Sequence, residues 1–169
     1  MSLFKIAIYI GVLALLSGCG FEPVYESRAK PHVKAEMAAI KIGIIKDRIG
    51  QQLRNNLLDR LNPTGSPDSP NYLLDVTLKI KKEDTFFKKS KLSTRAILTL
   101  FADFRLNGKG RNLGKKFTGT SKILVSYNIL NSHFATFTAE QNAKTRAVKE
   151  LSADISNRIA LFLGEPQHR

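Results

Sequence analysis

The sequence predicts an α+β domain: a two-layer sandwich with two helices on one face of a four-stranded mixed sheet, in the order β-α-β-β-β-α. Three observations carry that prediction. Apolar residues alternate with polar ones in four segments, the pattern of half-buried strands. They recur every third or fourth residue in two others, the pattern of amphipathic helices. The chain has 169 residues, 43% of them hydrophobic and 24% charged, which suffices for one core and argues against disorder.

The first strand is read from Ile40, Ile42 and Ile44, which alternate with Lys41 and Gly43. Asp47 follows as the expected N-cap of a helix whose stripe is Ile49, Leu53, Leu57 and Leu61, with Leu58 beside it. Gly50 in the first turn costs up to about 1 kcal/mol relative to alanine, so a close approach is expected there. Residues 62–71, NPTGSPDSPN, combine prolines and a glycine and read as a loop. Tyr72, Leu74, Val76, Leu78 and Ile80 then mark a second strand, and Ala96, Leu98, Leu100, Ala102, Phe104 and Leu106 a third. Asn107-Gly108 opens a hairpin connection to a fourth strand holding Leu113, Phe117, Ile123, Val125 and Tyr127, with a bulge expected near Gly119. Thr138 and Gln141 have capping-box spacing, and Ala139, Ala143, Ala147, Leu151, Ile155, Ile159 and Phe162 form one stripe that ends at Gly164 and Pro166.

A first strand, a crossover helix and a second strand make a right-handed parallel unit. The remaining strands form an antiparallel meander, and the last helix returns over the sheet. Two helices on one side leave the other face to water or to a partner.

The N-terminus carries an address. Lys5 is the only charge before Cys19, and it precedes an apolar stretch that ends in Leu16-Ser17-Gly18-Cys19. A positive start, an apolar middle and small residues before a cut site are the parts of a secretory signal. The stretch Ile6 to Leu16 is too short for the roughly 20 residues of a spanning helix. The single cysteine of the chain stands directly after the small pair, a pattern that resembles a bacterial lipobox. That resemblance implies cleavage before Cys19, a diacylglycerol thioether and an N-acyl chain on it, with no other cofactor expected. More than one acyl chain is enough for stable membrane attachment. The expected organisation is therefore a signal peptide at 1–18, a lipidated tether at 19–37 and a domain at 38–169. Gly20 rather than aspartate after the cysteine resembles the export signature of outer-membrane lipoproteins, which places the domain on the periplasmic side of that membrane.

The chain carries 27 Lys and Arg against 14 Asp and Glu, a formal +13. Between Phe104 and Ala139 lie Arg105, Lys109, Arg111, Lys115, Lys116 and Lys122 and no carboxylate. If the strands alternate as expected, the uncovered face presents Lys79, Lys81, Arg95, Arg105, Lys116 and Lys122. Thr77, Thr99, Thr118 and Thr120 stand among them, with Ile97, Phe101 and Leu124 between. Guanidinium and ammonium groups beside apolar side chains suit an anionic amphiphile such as lipopolysaccharide. The plainer alternative is a solvated face whose lysines keep an edge strand from aggregating. In the cytosol the same charge would point to nucleic acid, a partner that export removes.

Catalysis finds little support, and a nonenzymatic role is expected. His32 lies in the tether, His133 in a loop and His168 next to the C-terminus, so no pair has metal-ligand spacing. Gly108-Lys109-Gly110 is followed by Gly114, one position too late for a dinucleotide-binding loop.

Several local sequences together resemble the lipopolysaccharide-assembly lipoprotein family, LptE. They are Leu16-Ser17-Gly18-Cys19-Gly20-Phe21 with Pro23 and Tyr25, and Asp47-Arg48-Ile49-Gly50-Gln51 followed by Leu53-Arg54-Asn55. Thr94-Arg95, Ser126-Tyr127-Asn128 and Phe134-Ala135 complete the set. The resemblance implies a nonenzymatic subunit of the outer-membrane lipopolysaccharide translocon that plugs the β-barrel protein LptD and binds lipopolysaccharide. Arg95 is the first choice for a phosphate contact, with Lys79, Lys81, Arg105, Lys116 and Lys122 completing the expected set. Other readings remain open: an accessory lipoprotein of an envelope lipid-transport ATPase system, a cell-wall-binding lipoprotein, or a periplasmic enzyme such as a cell-wall hydrolase.

Overall fold

A computed structural model describes residues 31–85 and 95–165. The signal peptide, Cys19, residues 86–94 with Lys88, Lys89 and Lys91, and Pro166 lie outside the described residues. The elements are α1 (Pro31–Ala38), β1 (Ile40–Ile42), α2 (Asp47–Leu61), β2 (Tyr72–Thr85), β3 (Arg95–Gly108), a 3-10 turn (Gly110–Asn112), β4 (Lys116–Asn128) and α3 (His133–Gly164).

The sheet has the order β1-β2-β3-β4, with β1 parallel to β2 and the other pairs antiparallel. This is the expected mixed sheet, with the helices layered on one face. Ile40 and Ile42 of β1, the even positions Tyr72 to Val76 of β2 and Ala96 to Leu106 of β3 point into the core. There they meet Leu53, Leu57 and Leu61 of α2 and Ala143, Ala147, Leu151, Ile155 and Ile159 of α3. Two polar links fasten β4 to α3. Ser121 donates to Asp154 Oδ2 at 2.5 Å, and Arg158 pairs with the same oxygen at 3.0 Å and donates to the Thr120 carbonyl at 3.3 Å.

Six local expectations are revised. Residues 31–37 of the expected tether, with Ala38, form α1, whose Val33 is 3% exposed against the core. Tyr72 donates to Glu36 at 3.1 Å, and burial together with that carboxylate pushes the phenol up to about 12. The alternation of isoleucines breaks after β1: Ile44 is 84% exposed and Ile45 is buried. The turn into α2 causes this, because Asp47 adopts φ 67° and the N-cap is Lys46, without a side-chain cap. Gly50 is the expected close approach, since a Cβ there would stand 2.8 Å from Ile45 Cγ2 and 3.1 Å from its carbonyl carbon. Gln51 donates its side-chain amide to the Ile45 carbonyl and ties the same turn.

Near Gly119 the ladder runs without a bulge, with Gly119 opposite Phe104. The missing side chain is occupied by the Phe104 ring, 2.6 Å from where a Cβ would be. Leu113 belongs to the β3–β4 connection rather than to β4. Finally, α3 starts at His133, earlier than Thr138, with Ser132 accepting from the Ala135 amide at 3.4 Å. Thr138 is inside the helix and donates to the Phe134 carbonyl at 3.0 Å.

Candidate functional site: the uncovered sheet face

Because side chains alternate along a strand, placing the even residues of β2 and β3 under the helices sends the odd ones outward. On β4 the parity reverses, as the register demands, so Lys116, Thr118, Thr120, Lys122, Leu124 and Ser126 face outward. The six cations expected here, Lys79, Lys81, Arg95, Arg105, Lys116 and Lys122, all stand exposed on this face.

The register sorts them into cross-strand rows. Lys79, Phe101 and Lys122 are direct neighbours, followed by Lys81, Thr99 and Leu124 and then by Glu83, Ile97 and Ser126. Directly opposed residues lie about 5 Å apart, so Lys79, Lys81 and Lys122 surround an apolar strip of Phe101, Leu124 and Ile97. The Lys122 ammonium lies 5.4 Å from the Phe101 ring centroid, close enough for cation–π attraction. Arg95 stands at one end of β3 and Arg105 near the other, roughly 33 Å apart at about 3.3 Å per residue. The six therefore line the face without converging on one point.

Carboxylates that the count of cations left aside share the face. Lys79 pairs with Asp103 at 3.5 Å and Lys81 with Glu83 at 2.7 Å. The Thr120 hydroxyl, donating to Asp103 at 2.8 Å, and then the Lys79 charge hold that carboxyl below its ordinary range. The Lys81 hydrogen bond does the same to Glu83. Such exposed pairs are screened by water and salt and hold their partners only weakly. Asp75 and Asp103 flank Arg105 across a depression of about 340 Å³ completed by Thr77, Thr118 and Thr120. Its carboxylates and hydroxyls suit a hydroxyl-rich group, whereas the Lys79–Phe101–Lys122 row suits an anion attached to an apolar chain. The sequence could have shown the acids, because Asp75, Asp103 and Glu83 have the same parity as the cations on their strands.

A second polar cluster lies on the helix side. Glu140 of α3 accepts from Tyr127 at 2.9 Å and from Lys82 at 2.9 Å, and it also pairs with Lys144. Burial opposes its ionisation, but the hydrogen bonds from Lys144, Lys82 and Tyr127 outweigh burial and hold the carboxyl at about 2. Bonds from Tyr127 and Glu140 raise Lys82. This cluster locks α3 onto β2 and β4 and presents no vacant group to a substrate.

Solved structures share the fold. No protein-family model matches the chain, and no curated protein matches it in sequence. A protein assigned as a lipoprotein from Caulobacter crescentus superimposes with a TM-score of 0.62 at 23% identity, over 79% of this chain and 98% of that one. A minor lipoprotein from Acinetobacter baumannii gives 0.53 at 15% identity, over 72% and 91%. Rare lipoprotein B from Shewanella oneidensis gives 0.49 at 16%, over 72% and 90%. For the first two, at these identities, the likeness is one of fold. Among the described residues no helix is long and apolar enough to cross a membrane.

Proposed function

We propose that this chain is a lipid-anchored outer-membrane subunit of a lipopolysaccharide transport and assembly translocon, which sits in an LptD-like barrel and binds lipopolysaccharide on its uncovered sheet face. The observation that carries this reading is the row Lys79–Phe101–Lys122 with Lys81, Leu124 and Ile97 beside it. It sets ammonium groups for phosphates against an apolar strip for acyl chains, and the hydroxyl-lined depression next to it fits sugar hydroxyls. The lipobox ending in Cys19 supplies the anchor, and the Caulobacter and Acinetobacter lipoproteins share the architecture. The role is to hold and fit without catalysis.

The test pairs a binding assay with a pull-down. Lys79→Glu combined with Lys122→Glu is expected to weaken lipopolysaccharide binding by tenfold or more, about 1.4 kcal/mol, with an unchanged circular-dichroism spectrum. Full-length protein extracted in detergent is expected to bring down a large barrel. Unchanged binding by the folded double variant sinks the assigned face, and recovery of an inner-membrane ATPase instead of a barrel sinks the assigned complex.

A further inference from the structure

The β3–β4 connection is a cationic turn with an apolar tip. It runs from Lys109 to Lys115 and holds Lys109, Arg111 and Lys115, with Lys116 next in β4 and no carboxylate. Leu113 at its tip is 81% exposed. The turn is built rather than loose. Asn112 donates to the Lys109 carbonyl at 3.0 Å, Leu113 to Gly110 at 3.1 Å, Lys115 to Asn112 at 3.0 Å and Gly108 to Lys115 at 2.8 Å. Gly110 and Gly114 take φ 56° and 95°, the left-handed region open to glycine at no steric cost. Among the described residues none of the three cations has an ion-pair partner.

The position of this turn is fixed relative to the route of the chain. The Lys109 amide donates to Asn71 at 2.7 Å and the Asn71 amide to Ala39 at 2.9 Å, directly after α1. Val33 of α1 packs beside Gly164 at the end of α3. The segment arriving from Cys19 therefore enters the domain at the end of the sheet that bears the turn. Residues 20–30 separate Cys19 from α1 and reach at most roughly 40 Å. The opposite end, where α3 begins, is roughly 45 Å away along a helix that rises about 1.5 Å per residue.

We propose that the 109–115 turn rests on the anionic phospholipid surface in which Cys19 is anchored, its cations on headgroup phosphates and Leu113 in the acyl boundary, so that the domain stands with this end against the bilayer. The proposal rests on the lipid anchor of the reading above and not on lipopolysaccharide or a barrel. Each cation near such a surface multiplies the docked population by roughly fivefold, and burial of Leu113 adds to that.

The test uses the full lipidated chain. Since the one native thiol is consumed by lipid, Leu113→Cys provides a unique site for an environment-sensitive fluorophore, and Phe134→Cys, at a residue 79% exposed, reports the opposite end. The labelled proteins are reconstituted into vesicles of phosphatidylethanolamine and phosphatidylglycerol that contain a lipid-borne quencher and neither lipopolysaccharide nor barrel. The expected result is quenching at 113 with none at 134. It should be lost with Lys109→Glu, Arg111→Glu and Lys115→Glu together, in neutral vesicles, or in 1 M salt, where screening acts over about 3 Å. None of these three residues lies on the sheet face assigned above. Equal exposure of both labels in a chain whose mass shows the lipid overturns the docking and leaves the anchor standing. A chain without lipid on Cys19 that fails to join the vesicles overturns both.

Discussion

The two faces of the sheet are made from the same three long strands, yet one tolerates almost no change and the other is open to it. Toward the helices, Leu98, Leu100 and Leu106 are buried in the core. Toward solvent, Lys79, Phe101, Lys122 and Leu124 lie on a face that no described helix covers. The difference teaches that the apolar core and the solvent-facing charges are divided by strand parity in this molecule, so that substitutions one residue apart meet different surroundings.

The largest effect should come from the covered face. Leu100→Ala is expected to cost about 3 kcal/mol in urea unfolding, within the range for cavity creation. Leu124→Ala, on the open face, should stay within about 0.5 kcal/mol; similar losses for both would erase the distinction. Next comes the turn into α2. Gly50→Ala forces a methyl against Ile45 and is expected to destabilise by about 2 kcal/mol, as overpacking does.

The third expectation concerns the clamp at Glu140. Its carboxyl is depressed from 4.5 to about 2 in the folded chain, so it binds protons less readily folded than unfolded. Its contribution is full above about pH 4.5 and fades as the pH falls toward about 2. Glu140→Gln should cost about 2 kcal/mol at neutral pH, flatten stability in that acid window and leave ligand binding on the open face unchanged. Urea midpoints measured from pH 2 to 7 would check this. The smallest effect on stability is expected for Lys122→Glu, within about 0.5 kcal/mol, and under the proposed function the same change is expected to weaken binding of an anionic amphiphile. A folded Lys122→Glu protein that binds as well as before would show that this face is merely solvated.

Strand parity was legible in the sequence because alternation over many residues specifies both register and face. It placed all six cations and the apolar strip of Ile97, Phe101 and Leu124 on one side. Gly50 was legible as a residue without a helical reason to be there. What escaped was local and tertiary. Helix α1 is held by Val33 in the core and by the Tyr72–Glu36 hydrogen bond, contacts with residues distant in the chain. Asp47 has cap chemistry, but the path from Ile45 puts it in a left-handed conformation. Thr138 has capping spacing too, and Ser132 has the cap position because the chain turns back only after Asn128 ends β4. At the site, opposite charges on the same parity were readable, whereas the pairing of Lys79 with Asp103 depended on the register.

The length and lateness of α3 carry one more consequence. The last long segment of the chain supplies Ala143, Ala147, Val148, Leu151, Ile155, Ile159 and Leu163 to the interior. A polypeptide made from its N-terminus cannot close its interior until that final stretch has been synthesised. Loss of even a few C-terminal turns should therefore strand the whole domain in a protease-sensitive form.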